Sequence, residues 1–471
     1  MRWSESLPIV EPIEPPDLDR AFLRLARFPH CVFFDSARPD PQLGRYSFLA
    51  ADPFDFLEWP ADGRDALAAL ATRMSPFHAE TRPELPPFQG GWAGLFGYEL
   101  GRSLESAPSA GVDEFHAPAL AVGCYDVVLA VDHRSGQAWL VSQGFPELDP
   151  SRRRRRAAER LRQMRDRLEQ DLDPPATRAS SDYLPRKLLT PQYPLADWPS
   201  VTSNFSRSQY LDIVRRVIDY IHAGDVFQVN LSQRLMTPAT EDAVSLYRRL
   251  RRINPAPMAG YFDLGGLQVA SASPERFLTV RHGLVETRPI KGTRPRTGDA
   301  AADQKTVDDL VSSEKDRAEN VMIVDLLRND LSRVCEPDSV RVAQLCGVET
   351  YQYVFHLVSA VRGRLRADCS ALDLLRAAFP GGSITGAPKP RAMQIIAELE
   401  PTARGPYCGS LGYLGFDGAM DTSLLIRTVT AARGWWQFPV GGGIVAQSDP
   451  EREYQETLDK AQGILQAVRS P

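Results

Sequence analysis

The sequence predicts an α+β fold, and three observations carry that reading. Strand-like and helix-like segments are mixed along the chain without the regular alternation of a doubly wound protein. Apolar residues make up 43% of 471 residues, enough for one or more sizeable cores and, at this length, for two or three domains. The 55 basic and 60 acidic residues leave a net charge of −5. That balance argues against a dedicated nucleic-acid binder, and high apolar content with little net charge argues against disorder.

The elements follow in order. Residues 1 to about 148 alternate short apolar runs with Pro and Gly. Cys31-Val32-Phe33-Phe34, Tyr46-Ser47-Phe48-Leu49-Ala50 and Val127-Val128-Leu129-Ala130-Val131 have the composition of strands. The glycine and aromatic stretch 90–98 suits close backbone packing. Residues 150–171 predict a solvated helix that begins with the run Arg152 to Arg156. An RNA patch is the alternative there, but acids soon interleave with the arginines, which favours a charged surface helix. Asp173 to Ser181 is a linker by composition. Ser206 and Gln209 form a capping box for a helix whose apolar positions run from Tyr210 to Ile221, and Gly224 stops it. A strand resumes at Val226 to Leu231. The division expected is an N-terminal region over 1–175, a linker over 176–204 and a second domain over 205–471, with the two halves interleaved in space.

Six cysteines are scattered without a C-x-x-C pair or a G-x-C-x-G turn. They read as reduced structural thiols of a cytoplasmic protein with no thiol nucleophile. No signal peptide and no run of 18 apolar residues is visible, so neither secretion nor a membrane span is expected. Only six of the 55 basic residues are lysines. Arginine cannot lose its proton in a protein and a buried lysine can, so each lysine is a candidate for chemistry that the arginines cannot perform.

Four segments carry chemistry, and four of the six lysines fall in them. The first joins Ser273-Pro274-Glu275-Arg276-Phe277 to Pro289-Ile290-Lys291-Gly292-Thr293. Lys291 is a candidate base or nucleophile, against the plainer reading of a surface loop. The second is Glu314-Lys315-Asp316-Arg317-Ala318-Glu319, where carboxylates run into an apolar helix. Asp316 and Glu319 share a face there, and need either a cation partner or only the helix dipole. The third is Phe379-Pro380-Gly381-Gly382-Ser383-Ile384-Thr385-Gly386-Ala387-Pro388-Lys389, a glycine-rich loop whose amides suit a carboxylate or phosphate. It lacks the Walker pattern, so nucleotide binding is disfavoured. The fourth is Gly441-Gly442-Gly443 followed by a helix with Asp449 at its N-cap and Pro450 next. Glu453, Glu456 and Lys460 share one face of that helix. This is either an exposed Glu–Lys pair or an oxygen-only face suited to Mg²⁺ rather than zinc.

With these residues in place the chain resembles the chorismate-utilising enzymes. The motifs SPERF, PIKGT, KDRAEN, FPGGSITGAPK, MDTS, GGGIVA and EYQET occur in order. Agreement is dense from about 205 to 465 and looser before 150. The resemblance implies a large mixed sandwich built on antiparallel sheets, similar to component I of anthranilate synthase. Lys291 points to the branch that aminates chorismate to 4-amino-4-deoxychorismate, on the way to 4-aminobenzoate and folate. Anthranilate synthases carry Ala at that position, and isochorismate synthases have the lysine but lack PGGSITGAPK. Those two activities are the alternatives within the family. Outside it stand a non-catalytic subunit that binds chorismate or tryptophan, and an RNA binder.

The resemblance also implies roles. Lys291 attacks the ring at C2 while Glu275 protonates the departing C4 hydroxyl, and ammonia then adds at C4. Mg²⁺ sits on Glu319 and Glu456, with Asp316 and Glu453 beside it. Arg427, Tyr407, Gly442 and Gly443 hold the enolpyruvyl carboxylate, and His356, Ser383, Thr385 and Lys460 complete the pocket. In the first half, Phe34-Asp35-Ser36 stands where anthranilate synthases read Leu-Leu-Glu-Ser. Ser36, Arg45, Pro257 and Met258 would line a tryptophan-like pocket. Having no thiol nucleophile for glutamine, the chain is expected to take ammonia from a separate glutamine amidotransferase subunit. Neither a nucleic-acid nor a membrane partner is expected.

Overall fold

The computed structural model describes residues 7–38, 43–105, 108–170, 182–350 and 354–469. The fold is α+β. Two antiparallel sheets lie face to face, and helices cover both outer surfaces. The larger sheet has 13 strands. Its central run is Val32–Asp35, Met258–Asp263, Leu267–Ser273, Thr428–Ala432, Trp435–Ile444 and Gln228–Pro238. The second has ten strands and runs from Ile290–Pro295 through Val354–Arg364, Arg276–Arg281 and Met420–Leu424 to Gly91–Phe96 and Asp55–Trp59.

Both sheets draw strands from both ends of the chain. Val32–Asp35 pairs with Met258–Asp263, and Gly91–Phe96 pairs with Ser410–Gly415. Between the sheets lies an apolar layer that includes Val32, Phe48, Phe262, Leu95, Leu411 and Tyr413. On the outer face of the larger sheet, Phe438 and Val440 pack with Ile464 and Leu465 of the helix Pro450–Val468. On the outer face of the second, Leu278 and Met420 pack with Ile323 and Leu327 of the helix Glu314–Ser332.

The strands expected near 31, 46 and 127 are Val32–Asp35, Tyr46–Ala50 and Val127–Asp132. The helix expected over 150–171 is Pro150–Glu169, and it buries Ala157, Leu161 and Met164. The capping box forms: Gln209 N donates to Ser206 Oγ, and the Gln209 side chain accepts from Ser206 N at 2.8 Å. Two expectations shift. The strand expected to open at Val226 runs instead over Gln228–Pro238. Of the stretch read as a linker, Asp173 to Ser181 lies outside the described residues. Tyr193–Leu195 and Trp198–Ser203, however, form a hairpin on the sheet edge, where Thr202 pairs with Met236. Leu195 and Val201 are buried, and that apolar pair drives the hairpin onto the sheet. No described helix is long and apolar enough to cross a membrane.

Candidate active site

Glu275 occupies the point where the chain leaves one sheet for the other, between Leu267–Ser273 and Arg276–Arg281. Its backbone is tied on both sides: Glu275 N donates to Ser273 Oγ at 3.2 Å, and Leu424 N donates to the Glu275 carbonyl at 3.0 Å. The side chain is buried, with 5% of the residue exposed. Burial pushes its carboxyl up to about 7, against the opposing pull of Lys291, the Ser383 hydrogen bond and Lys460. The carboxyl is therefore largely protonated below neutral pH.

Lys291 lies on the edge strand Ile290–Pro295, where the register against Val354–Arg364 slips between Ile290 and Thr293. Such an irregularity re-aims a side chain. Gly292 makes it possible: its φ is +78°, and a Cβ there would lie 2.9 Å from Leu310 and 3.1 Å from Asp316. Lys291 Nζ donates to the Ser383 carbonyl at 3.3 Å, and Ser383 Oγ donates to Glu275 Oε1 at 3.1 Å. One residue of the glycine-rich loop thus holds both the lysine and the acid.

That loop is braced from behind. Arg404 is buried, binds Glu400 through two nitrogens at 2.9 and 2.7 Å, and donates to the carbonyls of Ile384 at 3.1 Å and Asn230 at 2.6 Å. Lys389, also buried, pairs with Asp330 at 2.9 Å and donates to the Ala378 carbonyl at 2.9 Å. Thr385 has no exposed surface, and its hydroxyl donates to the Gly381 carbonyl at 2.9 Å. It clasps the loop from within.

On one flank are the residues expected to meet an anion. His356 bonds through Nδ1 to Thr293 Oγ1 at 2.8 Å. Burial, with Arg427 and Arg38 nearby, pulls its imidazole down to about 4, so it is neutral at ordinary pH. Arg427 sits below the usual guanidinium range because it is desolvated, and Tyr407 lies within its electrostatic reach. Tyr407 leads to Cys408, which in turn feels Glu275.

On the other flank are the carboxylates. Glu319 is raised by burial, lowered by Lys291 and Lys315, and raised again by Glu456 and Asp316. It is thus coupled at once to the candidate nucleophile and to the C-terminal helix. Against burial, Lys460 holds Glu456 below the usual range from 2.7 Å, and Lys460 also donates to the Gly441 carbonyl at 2.9 Å. Glu453 accepts from Ser448 Oγ at 2.6 Å and from Lys315 Nζ at 3.3 Å. Asp316 is occupied by Arg294 at 2.9 Å. Gly442 faces the group: a Cβ there would lie 3.3 Å from Glu453 and 3.5 Å from Glu456.

Among the described residues, no three metal-ligating side chains stand close enough together to hold an ion as they are. The donor set nevertheless suits a hard divalent cation. It is oxygen-only, and Glu319 carries the repulsion of Glu456 and Asp316.

Sequence reasoning gave no role to Lys315, Arg404 or Gln228. Lys315 opens the KDRAEN motif, and its acidic neighbours were the available signal. Gln228 is buried with neither amide atom partnered among the described residues, and it presses on Gly443, whose Cβ would lie 1.9 Å from it. No sequence signal marks it.

Ser36, Arg45, Pro257 and Met258 do come together, on the wall of a separate cavity of about 820 Å³ between the sheets. Their polar groups are already engaged. Ser36 Oγ donates to the Tyr46 carbonyl at 2.6 Å, and Arg45 grips Asp132 at 2.8 and 3.1 Å. Neighbouring Asp35 accepts from Arg251 and Tyr247.

Comparison with known proteins agrees with this architecture. Residues 45–466 match the family of chorismate binding enzymes, and the chain belongs to it. It is 41% identical to aminodeoxychorismate synthase component 1 of Salmonella typhimurium, over 98% of this chain and 98% of that protein. It is 44% identical to anthranilate synthase component 1 of Thermus thermophilus, over 86% of this chain and 83% of that one. Among solved structures, anthranilate synthase component I from Streptococcus pneumoniae superposes with a TM-score of 0.76 at 31% identity, covering 90% of this chain and 93% of that one.

Proposed function

We propose that this chain converts chorismate and ammonia to 4-amino-4-deoxychorismate, as the chorismate-binding component of an aminodeoxychorismate synthase. The observation that carries the reading is the triangle of Lys291, Ser383 and Glu275, a nucleophile and an acid held by one serine. Full-length relatives of the chain bear the names of two activities, so overall similarity does not choose between them. Lys291 does, because anthranilate synthases place an alanine there.

The chemistry needs both groups. Hydroxide is a poor leaving group, so the C4 oxygen must be protonated as it departs. Glu275, held near neutrality by burial, supplies that proton. The Lys291 amine forms a bond to C2, the two conjugated ring double bonds shift from C1=C2 and C5=C6 to C1=C6 and C4=C5, and the C4–O bond breaks to release water. Ammonia then adds at C4, the double bonds shift back, and the C2–N bond to Lys291 breaks. Dividing the substitution in two lowers each barrier. Arg427 and Tyr407, with the amides of Gly442 and Gly443, bind the enolpyruvyl carboxylate; a desolvated arginine is well suited to bidentate carboxylate binding. His356 stays neutral and contributes hydrogen bonding rather than charge.

Mg²⁺ is the cation this reading requires, with Glu319 and Glu456 as ligands and Glu453 and Asp316 behind them. When bound it would offset the negative charge of the substrate. Ammonia comes from a partner, a glutamine amidotransferase subunit. The protein works in the cytoplasm.

The test is one incubation with chorismate, Mg²⁺ and ammonium, followed by separation of products. Aminodeoxychorismate is expected. Anthranilate or isochorismate would reassign the activity within the family, and unchanged chorismate would overturn the reading.

A further inference from the structure

The carboxylates proposed to hold Mg²⁺ are not empty of cations, and the two lysines among them are held differently. Lys460 has two fixed partners, Glu456 and the Gly441 carbonyl. Among the described residues, Lys315 meets only carboxylates: Glu453 Oε1 at 3.3 Å and Glu319 Oε1 at 4.0 Å. It bridges two elements distant in sequence, the first turn of the helix Glu314–Ser332 and the first turn of the helix Pro450–Val468. Its own side chain is 47% exposed, while those of Glu453 and Glu319 are 3% and 14% exposed. The carboxylates are fixed in the wall, and the ammonium reaches in from solvent.

We propose that Lys315 is a displaceable counter-ion that holds the cation site until a divalent metal ion takes its place. The inference rests on the metal reading given under Proposed function. A Mg²⁺ ion needs carboxylate oxygens at about 2.1 Å, and an ammonium lying on the same carboxylates competes for them. Without a cation, the buried Glu319 and Glu453 would repel each other and the half-exposed Glu456 beside them. The lysine meets that need with a single charge and a flexible four-carbon stem. On metal entry its amine swings outward into water, which its half-exposed position allows. Among the described residues no three of these side chains are gathered closely enough to chelate as they stand, and the ammonium lies between Glu453 and Glu319. Lys315 is therefore a positioning residue that sets metal affinity.

Calorimetric titration of Mg²⁺ into the full chain, without substrate, tests this. K315M should bind Mg²⁺ at least tenfold more tightly than the parent, because the competitor is gone. K315R, which keeps the charge, should stay within about threefold of it. Without metal, K315M should also melt at a lower temperature than the parent, and added Mg²⁺ should raise its Tm by more than it raises that of the parent. Should K315M misfold, K315Q reports the same contrast. Unchanged or weaker binding by K315M, with the parent binding normally, overturns the inference and leaves the metal reading intact. Binding of Mg²⁺ by neither protein overturns both.

Discussion

Lys291 and Ser383 are joined by a 3.3 Å hydrogen bond from the lysine Nζ to the serine main-chain carbonyl, while the Ser383 hydroxyl is turned onto Glu275. The lysine is therefore referenced to the backbone of the loop that positions the Glu275 carboxyl. Their separation is set through that one loop. Much of the buried polar structure nearby, Arg404 with Glu400 and Lys389 with Asp330, serves to hold it in place.

The acid should be visible in a pH profile. Glu275 is raised to about 7, so its proton is present below that pH and lost above it. From this group, kcat/KM should fall as pH rises through about 7. Glu275→Gln should remove that limb and lower kcat by roughly 10²–10⁴-fold, measured by chorismate consumption from pH 5.5 to 9. An unaltered alkaline limb in the variant would assign it to another group.

The loop anchor should appear as stability. Lys389 and Asp330 are both buried, and removing one partner strands the other. Lys389→Met should cost about 3 kcal/mol in denaturant unfolding, and adding Asp330→Leu should recover most of it. Equal losses in the single and double variants would show that the pair does not act as a unit.

A second buried acid gives a prediction of known sign. Desolvation raises Glu99 to about 7, and Asp113 adds to it; its Oε1 accepts from Arg404 N at 2.9 Å. The unfolded chain releases this proton near pH 4.5 and the folded chain holds it to about 7. Glu99 therefore lowers stability progressively as pH rises through that window. Glu99→Gln should raise Tm at pH 8, the gain in stability being on the order of 3 kcal/mol at most, and change it little at pH 5. Thermal melts at the two pH values check this; an equal shift at both would mean that Glu99 is not titrating.

How much of this could be read from residues alone divides along physical lines. Short apolar strands bounded by Pro and Gly, such as Tyr46–Ala50, and helices with explicit caps, such as Arg207–His222, were legible because local pattern determines them. The chemical type of Glu275, Lys291, Glu319 and Glu456 is conspicuous in context, and the fold brings these residues into one region. What escaped depends on partners far along the chain. The edge hairpin ending at Ser203 is held by pairing to Leu235 and Met236, which composition does not reveal. Lys315 meets Glu453 only because two helix starts converge on the same carboxylate.

The central claim is that Lys291 becomes covalently attached to the substrate ring, and one measurement addresses it directly. The protein is mixed with chorismate and Mg²⁺ in the absence of ammonium, quenched in acid and digested, and the peptide carrying Lys291 is weighed. The account predicts a peptide heavier by chorismate less one water, absent from Lys291→Met and lost when ammonium is added before the quench. An unmodified peptide from protein that turns over chorismate once ammonium is supplied, or a Lys291→Met variant with wild-type rates, would contradict it.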